Sequence, residues 1–151
     1  NHGIFTHIET EARHEIMLEE YVKKVQIEAR LMGYLASNSI LPPSINYQNT
    51  LIENIKGLKE IGLKPEAYRS QLEIVEVISK HINSISDNVE KMIATRKKAN
   101  EIADMHARAV AYCDEVKPFF ETIRYHADKL ELIVDDALWT LPKYREMLFL
   151  R

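Results

Sequence analysis

The sequence predicts an all-α fold, an antiparallel bundle of about four helices that forms a single domain over residues 1–151. Apolar residues recur three and four positions apart through long stretches, as the buried face of a helix requires. The alternating β-branched runs that are typical of strands do not occur. Only four Gly and five Pro interrupt the chain, and a hydrophobic fraction of 46% is sufficient for a core. Few, long helices are therefore expected.

The first helix is predicted to begin at Thr6, because Thr6 and Glu9 have the spacing of a capping box. It is expected to end near Asn38-Ser39, so that about 32 residues give a length of roughly 48 Å. Its core-facing residues are predicted to be Leu18, Tyr21, Val22, Val25, Ala29, Met32, Leu35 and Ala36.

The segment Leu41-Pro42-Pro43 is predicted to break the chain sharply. Neither proline donates a backbone N–H, and each favours extended geometry in the residue before it. The second helix is expected to begin at Pro43, to carry Tyr47-Gln48-Asn49, and to end at Gly62 with a Schellman contact to Leu63. Its predicted core face consists of Ile45, Ile52, Ile55 and Leu58.

The third helix is expected to begin at Pro65, where Glu66 interacts favourably with the helix dipole. It is predicted to continue through the weak helix formers between Ser84 and Asn88, because burial overrides intrinsic propensity. Its predicted core residues are Leu72, Val75, Ile78, Ile82, Ile85, Val89 and Met92.

The fourth helix is predicted to follow a turn with Asn100 or Asp104 as its N-cap. Helices three and four would then each have about 34 residues, which suits antiparallel neighbours. Pro118 is expected to kink the fourth helix, because the carbonyl of Asp114 loses its partner. Its predicted core residues are Ala109, Tyr112, Val116, Phe119, Phe120, Ile123, Ala127, Leu130, Ile133 and Val134.

The segment that follows Asp135-Asp136 is rich in large apolar side chains. We expect it to pack on the bundle, on a further domain or on a neighbouring subunit, because such side chains are rarely left in water together. The residues concerned are Leu138, Trp139, Leu141, Tyr144, Met147, Leu148, Phe149 and Leu150.

The net charge of −3 argues against a nucleic-acid partner. The densest basic cluster, Arg96-Lys97-Lys98, is typical of a solvated helix face. No apolar run approaches the roughly 20 residues of a membrane span, and no signal peptide is present, so no membrane partner is predicted. The single cysteine, Cys113, and the lack of a glycosylation sequon favour the cytoplasm. Because the sequence starts with Asn1 and not with Met, we expect a piece of a longer protein.

Chemical motifs are sparse. A di-metal bundle needs Glu-x-x-His on two helices, and only Glu11-Ala12-Arg13-His14 has this pattern. Among the remaining histidines, His81, His106 and His126 lack an acid three residues earlier. Cys113 is interpreted as a structural thiol among apolar neighbours, and neither a glycine-rich phosphate loop nor a serine elbow occurs. The prediction is therefore no catalytic, cofactor-binding or metal-binding residue in this chain.

Several stretches together resemble the C-terminal region of type III glutamine synthetases, over nearly the whole chain. Two positions depart from the family pattern: Pro43-Ser44, where small residues usually follow the hinge proline, and Thr140, where a proline often follows the tryptophan. The resemblance rests on Glu19-Glu20-Tyr21-Val22-Lys23, Ile27-Glu28-Ala29-Arg30, Ile40-Leu41-Pro42, Tyr47-Gln48, Asp114-Glu115-Val116-Lys117-Pro118, Leu130-Glu131, Val134-Asp135, Leu138-Trp139, Leu141-Pro142, Tyr144 and Leu148-Phe149.

The resemblance implies a parent enzyme that ligates ammonia to glutamate with ATP and Mg²⁺ or Mn²⁺, in a bacterial, cytoplasmic, ring-based homo-oligomer. In that family the substrate and metal sites lie in an upstream catalytic barrel, so no catalytic residue transfers to this chain. The expected role is an accessory helical domain that packs on the catalytic domain and on neighbouring subunits. Two alternatives remain at this point: a stand-alone helical interaction or scaffold module, and a di-metal oxidoreductase bundle.

Overall fold

The computed structural model describes residues 6–143 and residue 146, and the regular structure within them is entirely helical. Because α1 continues into α2 and α4 into α5 through π turns, the described residues form three long helices and not the predicted four. The elements are α1 (His7–Leu35), a first π turn (Ala36–Ile40), α2 (Leu41–Glu60), a 3-10 turn (Pro65–Tyr68), α3 (Arg69–Glu101), α4 (Met105–Ala111), a second π turn (Tyr112–Val116) and α5 (Pro118–Ile133).

The predicted break at Pro42-Pro43 is wrong. The helix widens by one residue ahead of the prolines, so that the Leu41 N–H donates to the carbonyl of Ala36, five residues back. This π turn removes the close approach between each proline ring and the preceding turn that an α-helix would impose. Pro42 and Pro43 therefore lie in the first turn of α2, and the chain does not reverse there.

Pro118 is accommodated by the same arrangement. The Lys117 N–H donates to the carbonyl of Tyr112 at 3.0 Å, again five residues back and again directly before a proline. The fourth predicted helix is thus continuous through Pro118. A break was expected at Pro42-Pro43 and a kink at Pro118, and at each position a single π turn maintains the continuity of the helix.

The predicted helix ends are confirmed where side chains or glycine define them. Thr6 and Glu9 form a complete capping box. Gly62 has φ +84°, and the Leu63 N–H donates to the Leu58 carbonyl at 3.1 Å, as in a Schellman motif. Asp104 is the N-cap of α4, where its carboxylate accepts from the Ala107 N–H at 2.7 Å.

The three long helices are antiparallel. Gln48 of α2 donates to the carbonyl of Val75 near the start of α3, whereas Gln26 of α1 donates to Asn100 near the end of α3. The second and third long helices also run in opposite directions, since Asn100 near the end of α3 accepts from Tyr112 near the start of the third long helix, whereas His81 in the middle of α3 contacts His126 farther along it. The antiparallel bundle is therefore confirmed, with three members.

The core follows most of the predicted stripes, and α3 stays helical from Ser84 to Asn88 as expected. Two predicted core residues are exposed: Ile45 by 44% and Leu72 by 38%. The largest fully buried apolar side chains are Ile78, Ile85, Met92, Tyr112, Val116, Ile123 and Leu130.

The segment after α5 packs on the bundle, which confirms the prediction for Leu138, Trp139 and Leu141. The Thr140 hydroxyl donates to the carbonyl of Ser39 in the first π turn at 3.1 Å. The tail is therefore attached to the position where the prolines remove N–H donors from the helix. The remaining predicted tail residues, Tyr144, Met147, Leu148, Phe149 and Leu150, lie outside the described residues.

Candidate functional site

The half di-metal motif lies at the exposed beginning of α1. Glu11 and His14 line a shallow groove of about 310 Å³ together with His7 and Thr10, and His7 Nδ1 lies 3.6 Å from Glu11 Oε2. Across the described part of the chain, no three His, Cys, Asp or Glu side chains lie close enough together to hold a metal ion. The geometry at Glu11 and His14 therefore gives no support to a di-metal centre.

Two histidines that lie 45 residues apart in the sequence are in contact in the fold. His81 of α3 and His126 of α5 have their Nδ1 atoms 2.8 Å apart. Burial lowers the pKa of both imidazoles, and the charge of Lys80 lowers it further in each case. His106 is exposed on α4 and does not join them.

Cys113 is exposed, contrary to the expectation of apolar surroundings. It lies in the second π turn and interacts with the hydroxyl of Tyr21 on α1. Burial, reinforced by this thiol, raises the pKa of Tyr21 to about 12. The pair lies between the first and third long helices.

A polar cluster connects α1, α3 and the second π turn. Asn100 Oδ1 accepts from the hydroxyl of the fully buried Tyr112 at 2.6 Å and from Gln26 Nε2 at 3.3 Å. Burial raises the pKa of Tyr112, and nearby arginines, Arg96 first among them, oppose this effect. Arg96 of the basic cluster thus faces a buried tyrosine, while Lys97 and Lys98 are exposed as predicted.

An apolar stripe lies on the outer face of α1. It consists of Ile27, Leu31 and Tyr34, which are 65%, 53% and 63% exposed. Their spacing of four and three residues places them on one face of the helix. That face points away from the core-facing residues Val25 and Ala29, which are buried.

A shallow groove of about 230 Å³ adjoins this apolar stripe. It is lined by Glu28, Leu31, Met32, Leu35 and Phe120, so four of its five side chains are apolar. Phe120 comes from α5, and the groove therefore spans the first and third long helices. A groove of this kind can accept an apolar side chain from a packing partner.

Sequence reasoning assigned the core face of α1 correctly and overlooked its second apolar face. The signal was available, since Ile27, Leu31 and Tyr34 repeat at helical spacing on the side opposite Val25 and Ala29. A helix that is apolar on two opposite faces is typical of one buried between two layers. Within the described residues, no helix has the length and apolar character to cross a bilayer.

Comparison with known proteins shows that the sequence of this helical chain is similar to the C-terminal part of glutamine synthetases. The family model described as "Glutamine synthetase C-terminal domain" matches residues 1–59. A glutamine synthetase of Bacteroides fragilis is 43% identical over 97% of this chain, and a type-3 glutamine synthetase of Dictyostelium discoideum is 30% identical over 99% of it. A third relative, a glutamine synthetase of Butyrivibrio fibrisolvens, is 27% identical over 98%.

This chain is a relative of the C-terminal domain of glutamine synthetases. The family resemblance seen in the sequence is thereby confirmed. The chain spans about a fifth of the length of these relatives.

The residues of this chain that match the glutamine synthetase C-terminal domain correspond to a recognisable structural unit. They include α1, the first π turn and nearly all of α2, and hence most of the first long helix. The apolar stripe Ile27, Leu31 and Tyr34 lies inside this matched region. The surface that the fold leaves uncovered is thus part of the segment by which the family is recognised.

Proposed function

We propose that this chain serves as an accessory helical domain of a glutamine synthetase, and that it packs on the rest of the enzyme through the apolar stripe of α1. The observation that carries the proposal is the exposure of Ile27, Leu31 and Tyr34 on a helix whose opposite face is already buried. Covering such side chains removes apolar area from water and stabilises the packed state.

The lengths of the relatives support a covering partner within the same polypeptide. Because the chain corresponds to about a fifth of each relative, a protein of this family contains roughly four times as much additional chain. Part of that chain, or its copy in a neighbouring subunit, is the proposed occupant of the stripe and of the groove beside Phe120. By supporting this packing, the domain would order the subunits of a homo-oligomer.

The proposed parent activity is the ATP-dependent ligation of ammonia to glutamate, with ATP and Mg²⁺ or Mn²⁺ held elsewhere in the longer protein. The described residues of this domain do not fit a divalent-ion site, since they bring together no three suitable ligands. Its carboxylates pair along the helix surface with cations, for example Glu19 with Lys23 and Glu53 with Lys56. The domain's contribution is therefore proposed to be structural and not catalytic.

The experiment is a substitution in the full-length polypeptide that carries this segment. Leu31→Asp places a charge at the centre of the apolar stripe, and we expect lower native mass and reduced ATP-dependent glutamine formation. The matched control is Leu132→Asp, because Leu132 is 81% exposed on α5 and lies outside the stripe. Native mass is measured by light scattering and product by a coupled assay.

Normal assembly and activity of Leu31→Asp, equal to those of Leu132→Asp, would contradict the proposal. The mass of the native polypeptide is a prior check: a chain several times heavier than 151 residues is expected. A native chain of this size alone would instead favour a stand-alone helical interaction module.

A further inference from the structure

The contact between His81 and His126 links the two helices that form the most extensive interface of the molecule, α3 and α5. The Nδ1 atoms lie 2.8 Å apart, and the ring centroids are 5.1 Å apart with the planes inclined by 53°. At that distance one Nδ1 donates a proton and the other accepts it. The neutral pair thus combines one Nδ1–H tautomer with one Nε2–H tautomer.

The surroundings of the pair are cationic. From α3 it is faced by Lys80, and from α5 by Lys129, both of which act electrostatically on His81. Tyr125 lies edge-on to His126 with centroids 5.2 Å apart, and Lys129 Nζ lies 5.4 Å from the centroid of the Tyr125 ring. From α2, which also packs on α3, the side chain at this level is the neutral Gln48, bonded to Ser79.

The hydrogen bond can tolerate one added proton but not two. After one imidazole is protonated, it donates its Nδ1–H to the remaining lone pair, and the contact is preserved. After the second protonation both Nδ1 atoms carry hydrogens, so no acceptor is left and two cations face each other. Lys80 and Lys129 add repulsion, and neither lysine supplies an acceptor.

We propose that the His81–His126 pair is a proton-sensitive link between α3 and α5, which holds while at most one imidazole is charged and opens when both are. Two close and interacting sites titrate as a unit, so the pair should show two separated macroscopic steps. The lowered pKa values of both groups agree with this geometry.

The direction of the pH effect follows from proton linkage. The folded pKa values lie below the ordinary value of 6.5. The unfolded chain therefore binds more protons than the folded chain once the pH falls below about 6.5. The stability associated with the pair is complete above that pH and is lost progressively on acidification.

The test compares the 151-residue chain with His126→Asn, in which an amide near the former Nδ1 position retains a hydrogen bond to His81 but does not titrate. The folding equilibrium constant is measured by urea unfolding between about pH 7.5 and pH 5. We expect it to fall several-fold more in the wild type than in His126→Asn, because the folded pair resists protons that the unfolded chain accepts. The matched control, His106→Asn, removes an exposed histidine and should retain the wild-type pH profile.

Parallel profiles of the wild type and His126→Asn would overturn the proposal. Imidazole ¹⁵N NMR of the unmodified chain provides a second measurement that does not depend on the variant's folding. Coupled, two-step titration of His81 and His126 supports the link. Two independent titrations, each with a single step, would refute it.

Discussion

The side chain of Lys143 bonds two carbonyl groups at the C-terminal end of α5. Its ammonium donates to the carbonyl of Glu131 at 2.9 Å and to that of Val134 at 3.4 Å. It also forms an ion pair with Asp136. Lys143 is only 9% exposed, and these three oxygen partners offset the cost of burying its ammonium group.

We predict that Lys143→Met destabilises the chain by about 1–3 kcal/mol, because buried carbonyls then lose a charged donor while the apolar volume is largely kept. Urea unfolding monitored by Trp139 fluorescence measures the effect. Trp139 is the single tryptophan, and it packs beside the core in the same tail. Lys91→Met, at an exposed position of α3, is the control; an equal loss in both variants would show that the cap contributes nothing.

At the scale of single residues, the sequence predicted contacts correctly where a residue interacts with its near neighbours in the chain. Thr6 with Glu9, Gly62 and Asp104 could be predicted because caps depend on side chains three or fewer positions away. The contacts of His81 with His126 and of Thr140 with Ser39 could not be predicted. They depend on the register between helices, which no local pattern specifies.

At the scale of the element, the decisive features are the two π turns. The rule that prolines break helices rests on a lost N–H and a clash with the preceding turn. Both costs decrease when the helix gains one residue before the proline, as it does before Pro42 and before Pro118. The sequence therefore indicated correctly where the helix is irregular. The expected end of the helix at Pro42-Pro43 was wrong, whereas the helix was expected to continue through Pro118 and does so.

Each π turn also changes the face that the following residues present, since one extra residue rotates everything downstream by about 100°. We predict that deleting Ser37, an exposed residue of the first π turn, destabilises the chain by several kcal/mol. The deletion would rotate the buried residues Pro43, Ser44 and Ile55 of α2 away from the core.

Ser37→Ala is the matched control, because it changes the same residue without changing the length of the helix. Its free energy of unfolding should stay within about 0.5 kcal/mol of the wild type. Calorimetry or urea unfolding of both variants decides the matter. A deletion variant as stable as Ser37→Ala would mean that α2 is not held in a fixed register against α3.

At the scale of the whole molecule, four titratable groups that are half-buried or buried affect stability at opposite ends of the pH range. His81 and His126 remain neutral in the folded chain below the pH at which histidines of the unfolded chain become charged. Burial raises the pKa of Tyr21 to about 12 and also raises that of Tyr112. All four groups favour a folded state in which they carry no charge.

These shifts predict a plateau of stability between about pH 7 and pH 10. Below about pH 6.5 the histidines of the unfolded chain bind protons more readily than His81 and His126 of the folded chain, so the free energy of unfolding falls as the pH decreases. Above about 10 the unfolded chain releases tyrosine protons that the folded chain retains, so the free energy of unfolding falls again as the pH rises towards 12. Urea unfolding at about pH 5.5, 8.5 and 11 measures both declines.

Tyr21→Phe should reduce the alkaline decline, because it removes the group with the raised pKa. Tyr34→Phe, at a position 63% exposed, is the control and should leave the decline unchanged. An alkaline decline of equal size in the two variants would show that the loss of stability arises from groups other than the half-buried Tyr21.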